Sequence, residues 1–270
     1  MTIHLITDFT EASENALRFG CDFAKKYGFE ILIINIFTIP STYTGEGLSL
    51  ASVNDLITAN TDRLNDELAT LRKLYPQLNI NAELVQGSIP ATLEEINNEF
   101  HPGLMLISTP TDYSELWTWK DDWLNVLLSV SCPVLLIPPK VRFKEFHRVT
   151  FACDYRRTCV PDQITAINKF LNITGASLDI LHINTQDPSG ITTQNSIAVQ
   201  DAFKANQVKY ILKHSPELIK AITQFIEEEK PDLLIAIPRK RGLWENFFSQ
   251  SYAKQLSQLN NIPIMTVHGG

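Results

Sequence analysis

The chain has 270 residues, 44% of them hydrophobic and 20% charged, with a formal net charge of −7; that length suits two domains of about 130 to 140 residues with ordinary globular cores. No segment approaches the roughly 18 unbroken apolar residues of a membrane span, and the opening MTIHLITDF has no basic region before its apolar run, so it reads as a strand and the protein as cytoplasmic. Residues 1–140 hold 8 Lys and Arg against 18 Asp and Glu, and residues 141–270 hold 15 against 12; so acidic a balance speaks against general nucleic-acid binding, which depends on neutralising phosphates with a basic surface.

Taken in chain order, periodicity predicts a strand at 3–7, a helix over Glu11 to Tyr27 and the strand ILIINIF at 31–37. A long helix near 52–75, the strand INAELV at 80–85, a helix at 90–100, the strand LMLIS at 104–108, a helix near 120–130 and the strand PVLLIP at 133–138 follow. The order then recurs. RVTFACD at 148–154, a helix near 160–172, SLDILHI at 177–183 and a helix near 193–204 match the first copy's opening elements. VKYILK at 208–213, a helix from Pro216 to Glu229, LLIAI at 233–237, a helix near 244–259 and PIMTV at 263–267 complete it. Strands that alternate with helices argue for a parallel sheet covered on both faces.

Register sharpens the repeat. Asp8 matches Asp154 at an offset of 146 and Asn35 matches His182 at 147, whereas Leu104 matches Leu233 at 129 and Pro133 matches Pro263 at 130, so the second copy lost residues between its second and third strands. The segment STYTGEGLSL at 41–50 marks a long exposed loop in the first copy. The reading is therefore two units, 1–139 and 147–270, with a linker at 140–146.

Three stretches carry a resemblance to the universal stress protein family in its tandem form: DFTEASENAL at 8–17, QGSIPATLEEI at 86–96 and SCPVLLIP at 131–138. The second copy offers the weaker CDYRRTCV, KHSPELIKAI and NIPIMTV. The resemblance implies two tandem Rossmann-like domains of the adenine nucleotide alpha hydrolase type. Each is an open five-stranded parallel sheet of order 3-2-1-4-5 with helices on both faces and a ligand crevice at the carboxyl ends of strands 1 and 4. It also implies that PVLLIP and PIMTV pack against each other as an intramolecular pseudo-dimer; a homodimer of two chains and an unknown regulatory partner stay open.

In the family's nucleotide-binding branch the Asp after strand 1, here Asp8 or Asp154 with Tyr155 beside it, helps hold the adenine or ribose end, and a G-x2-G-x9-G-S/T loop after strand 4 cradles the phosphates on free backbone N–H groups. On the second copy those glycines fall on Ile237, Lys240 and Gln250, and only the hydroxyl of Ser251 survives. On the first copy Asp121 and Asp122 fall where phosphates would sit, which opposes binding. The loop after the second copy's fourth strand reads Arg239, Lys240, Arg241, Gly242: either a side-chain anion site or a solvated charged loop.

Trp117, Trp119 and Trp123, with Trp244, Phe247 and Phe248 at the matching place, serve equally to fill the crevices or to form an interface. His182 reads as a core histidine, and no metal-ligand spacing, catalytic motif or nucleophile beside a base appears. Cys21, Cys132, Cys153 and Cys159 form no CxxC pair and read as reduced core filler. The expectation is a stress-response binding or regulatory protein, not an enzyme, that requires no cofactor. The alternative is an ATP- or AMP-binding switch or weak ATPase with one site in the second half.

Overall fold

The computed structural model describes residues 1–38, 50–109, 127, 130–153, 155, 159–184, 193–204, 206–237 and 261–268. The first half runs β1 (Thr2–Thr7), α1 (Glu11–Tyr27), β2 (Glu30–Phe37), α2 (Leu50–Leu74), β3 (Ile80–Gln86), α3 (Ile89–Phe100), β4 (Leu104–Ser108) and β5 (Val134–Ile137). The second runs β6 (Arg148–Ala152), α4 (Pro161–Thr174), β7 (Ser177–Asn184), α5 (Thr193–Phe203), β8 (Val208–His214), α6 (Leu218–Glu229), β9 (Leu233–Ala236) and β10 (Ile264–Thr266). The helices expected near 120–130 and 244–259 and the loop at 41–50 lie almost wholly outside the described residues.

All strands of the described residues join one sheet of order β3-β2-β1-β4-β5-β10-β9-β6-β7-β8. Within each half every pairing is parallel and the order is 3-2-1-4-5, as the resemblance implies. The halves meet at an antiparallel seam, β5 on β10, with Leu135 opposite Met265. The seam reverses direction, so the carboxyl ends of the first half's strands lie on the opposite edge of the sheet from those of the second.

The central strands are continuous apolar runs because helices cover both faces. On one face Leu5, Phe23, Ile33, Phe151, Phe170 and Ile180 belong to a single core beneath α1, α2, α4 and α5. On the other, Ile6, Ile34, Met105, Leu181, Ile222 and Phe225 pack with α3 and α6. Helix α1 shows why such a segment becomes a helix: Thr10 accepts a hydrogen bond from the Ser13 N–H at its start, Glu11 and Glu14 face the positive dipole end, Lys25 and Lys26 the negative end, and Gly28 closes it at φ 74°.

The shortening of the second copy is visible here. Helix α2 has 25 residues and α5 has 11. Ala82 and Leu84 on the edge strand β3 pack against the core, while Tyr210 and Leu212 on the matching strand β8 are 44% and 58% exposed. The two lysines of β8, Lys209 and Lys213, blunt that edge against pairing with other strands.

Two buried histidines make the fold acid-sensitive. His4 in β1 packs edge-on to Phe100, and His268 follows β10. Burial pushes both down to about 4 from the ordinary 6.5. A depressed folded-state value means that the stability is fully present above about 6.5 and is lost as the pH falls toward 4. The variant His4→Phe is expected to flatten the fall of the melting temperature between pH 6.5 and 4.5; an unchanged pH profile would contradict this.

Candidate functional site at the strand 1 exits

Adjacent crossovers diverge where β1 and β4, or β6 and β9, end, and open α/β sheets place their ligands in that crevice. In the first half β1 leaves the sheet through Asp8, Phe9 and Thr10. Phe9 sits at φ 61°, a left-handed conformation that costs a residue with a Cβ on the order of 1–2 kcal/mol.

Side chains hold it there. Thr10 donates to Asp8 Oδ1 from its backbone N–H at 3.0 Å and from its hydroxyl at 2.7 Å. The Phe9 N–H donates to Thr7 Oγ1 at 3.2 Å, and the Thr7 hydroxyl donates on to Ser13 Oγ at 3.1 Å. Asn35, one strand over, donates to the Thr7 carbonyl at 2.9 Å. From α2, Arg63 donates to the Phe9 carbonyl at 2.9 Å and lays its guanidinium 4.5 Å from the Phe9 ring centre.

The second half builds the same device from different residues. Tyr155 takes the left-handed position at φ 53°. His182 occupies Asn35's place and donates from Nδ1 to the Cys153 carbonyl at 2.9 Å, which fixes its tautomer because a carbonyl can only accept. Asn195 on α5 takes Arg63's role and donates to the Tyr155 carbonyl at 2.9 Å. The Tyr155 ring lies 4.6 Å from that of His182, and burial pushes its hydroxyl upward. In both halves, then, a buried aromatic ring packs beneath the strand exit, and a side chain from another element caps its carbonyl, Arg63 on Phe9 and Asn195 on Tyr155.

Of the expected ligand residues, Asp8 is exposed at the first exit with its second oxygen uncommitted, and Tyr155 is buried at the second. These two do not share a site, because β4, β5, β10 and β9 separate β1 from β6 and the two exits face opposite edges of the sheet. Asp154, Arg239, Lys240, Arg241, Gly242 and Ser251, the carboxylates Asp121 and Asp122 and the tryptophan and phenylalanine clusters lie outside the described residues.

One further polar group belongs to the first crevice: Thr109 follows β4, and its hydroxyl is buried without a hydrogen-bond partner. Sequence reasoning passed over Thr109, Phe9, Arg63 and Asn195. Only the place of Thr109 directly after β4 and of Phe9 beside the Asp that follows β1 could have drawn attention to them. Among the described residues no cluster of His, Cys, Asp and Glu could hold a metal ion, and no helix is long and apolar enough to cross a membrane. All four cysteines are buried, and burial pushes the Cys21 and Cys132 thiols up to about 12, far from the range of reactive thiolates.

Superposition on solved structures decides the architecture. A universal stress protein from Archaeoglobus fulgidus covers 100% of this chain and 96% of its own length with a TM-score of 0.72 at 17% identity. The chain has the tandem universal stress protein fold. A universal stress protein from Pseudomonas aeruginosa, described as putative, matches 99% of the chain and 92% of its own at TM-score 0.57 and 12% identity. A universal stress protein solved in complex with cAMP covers 51% of this chain and 96% of its own at TM-score 0.39 and 16% identity. No protein-family model matches the sequence, and neither does any curated protein.

Proposed function

We propose that the protein is a regulatory binding protein of the universal stress type, not an enzyme, and that its crevices do not hold ATP with a glycine-rich phosphate loop. The observation that carries this reading is the locked strand exit. One Asp8 oxygen already accepts two hydrogen bonds from Thr10, and the Phe9 and Tyr155 rings are packed away beneath the turns. These bonds leave the second Asp8 oxygen open to a ligand hydroxyl, but on the second copy the glycines that admit phosphates to close backbone contact are replaced by Ile237 and Lys240.

The expected result is no rise in melting temperature with millimolar ATP, AMP and magnesium, since only a ligand that prefers the folded state raises it. A rise of several degrees would displace this reading in favour of a nucleotide switch in the second half, motivated by the basic run that follows β9. The paired reversal Arg239→Glu and Arg241→Glu then abolishes the shift while leaving the ligand-free melting curve intact; a shift that survives it excludes that arrangement as well.

A further inference from the structure

The tandem repeat leaves one groove filled and its counterpart open. Helices α1 and α4 both end at a left-handed glycine, Gly28 and Gly175, so their faces correspond at an offset of 147. On that basis Asn15 matches Asp162, Phe19 matches Ala166, Asp22 matches Lys169, Phe23 matches Phe170 and Lys26 matches Ile173.

In the first half this face is covered by the chain between β5 and β6. Asn15 donates to the carbonyls of Pro138 and Val141 at 3.2 and 2.9 Å. The Phe143 ring meets Phe19 and Phe23 at 5.4 and 5.9 Å, and Phe146 meets Phe23 and Phe170 at 6.0 and 5.5 Å. Lys26 pairs with Glu145 at 2.6 Å. The segment thus runs along α1 from its first turns to its last, an extended strap anchored by two aromatic rings and one carboxylate.

The matching face of α4 lines a half-open cavity of about 500 Å³, bounded by the amino edge of the first half and floored by Phe23 and Phe170. Asp162, Ala166, Lys169 and Ile173 line it at the positions that match Asn15, Phe19, Asp22 and Lys26, of which Asn15, Phe19 and Lys26 meet the strap while Asp22 bonds to Tyr75.

We propose that this groove is a docking slot for an extended peptide segment of a partner protein, bound as residues 138–146 are bound in the other half. The substitutions along the face define the occupant. Ala166 in place of Phe19 deepens the slot for an aromatic side chain. Asp162 in place of Asn15 offers a carboxylate, which only accepts hydrogen bonds, so the segment begins with a basic residue or free N–H groups. Lys169 in place of Asp22 places a cation one turn before the position of Lys26, so a carboxylate follows the aromatic residue. The pattern is basic, aromatic, acidic, aromatic. A second copy of this chain does not supply it, because its own strap is already seated on its own α1. The proposal does not draw on the strand exits, since neither Phe9 nor Tyr155 lines the slot.

The test uses the full chain and a fluorescein-labelled synthetic peptide of residues 138–146, PPKVRFKEF, followed by anisotropy. Saturable micromolar binding is expected, weakened at least tenfold by alanine at both peptide phenylalanines and by Ala166→Trp, which fills the slot. Lys169→Glu, a change on an exposed side chain that leaves the fold untouched, is expected to weaken binding by about tenfold. Absence of binding at millimolar peptide, or binding indifferent to both protein variants, overturns the proposal. So does displacement of a small aromatic anion such as anilinonaphthalene sulfonate by Ala166→Trp when the peptide itself fails to bind, because the slot then takes a small molecule.

Discussion

Replacing Arg148 by methionine is expected to cost about 3–5 kcal/mol at pH 7 and distinctly less near pH 4 to 5, read from urea unfolding at each pH. Arg148 opens β6, and its Nε stands 3.2 Å from Asp179 Oδ2 on β7, with Asp179 only 3% exposed overall. The two atoms make no well-aligned hydrogen bond, so the contact is an ion pair held by charge. The same guanidinium reaches the Glu229 carbonyl and, at 3.0 Å, its carboxylate at the end of α6. Asp232, just before β9, accepts the backbone N–H groups of His147 and Arg148 at 2.8 and 3.0 Å. The cluster therefore ties the first strand of the second half to three neighbouring elements.

Burial raises the Asp179 carboxyl above the ordinary carboxylate value, and Arg148 is the largest influence pulling it back, with Lys209 assisting. A folded-state value above the unfolded one means that the native protein binds more protons over the interval between them, so stability is lost as the pH rises through the folded value. Without Arg148 that value climbs further and the deficit widens toward neutrality, because a buried carboxylate left without its counter-charge is costly. The double variant Arg148→Met with Asp179→Leu is expected to recover most of the loss. A deficit equal at every pH would instead assign the role of Arg148 to its bond with the Glu229 carbonyl.

Much of the architecture was legible in the sequence because burial on both faces writes long apolar runs, and α/β alternation follows from helix and strand periodicities of 3.6 and 2. The pairing of Asn35 with His182 by register was informative as well: these chemically different side chains hold the same carbonyl in the two halves. The strand exits were not legible. A left-handed turn is announced by glycine or asparagine, and here phenylalanine and tyrosine occupy it, held by side chains from elsewhere in the chain.

Arg63 lies 54 residues from the carbonyl it caps, on a helix whose exposed face reads as ordinary charged surface. The docking slot was hidden for another reason. It is a difference between two copies that align well as sequence, and it appears only once the packing of the strap on α1 is known. Of the phosphate-loop positions on the second copy, only Ile237 lies in the described part of the chain.

Truncating Phe23 to alanine is the second change expected to have a large effect, about 3–5 kcal/mol. The side chain is fully buried at the crossing of α1, the strap and the second half, with ring centres of Tyr27, Phe29, Phe143 and Phe146 at 5.0, 5.5, 5.9 and 6.0 Å and Phe170 stacked at 6.4 Å. Its removal deletes apolar contact on every side and opens a void that enlarges the slot beside α4. Thermal unfolding is expected to remain a single transition displaced downward by on the order of 10 °C, since 1 kcal/mol moves a domain of this size by roughly 2–4 °C. The single transition matters as much as the displacement: one core runs beneath both halves, and the seam of β5 on β10 makes the sheet continuous, so neither half has a core it can keep when the other melts. Two separated transitions, with only the lower one moved, would show that the aromatic cluster belongs energetically to the first half alone. A double-mutant cycle of Phe23→Ala with Phe170→Ala measures the coupling directly, and a pairwise term of about 0.5–1.5 kcal/mol is the expected contribution of the stacked rings across the repeat.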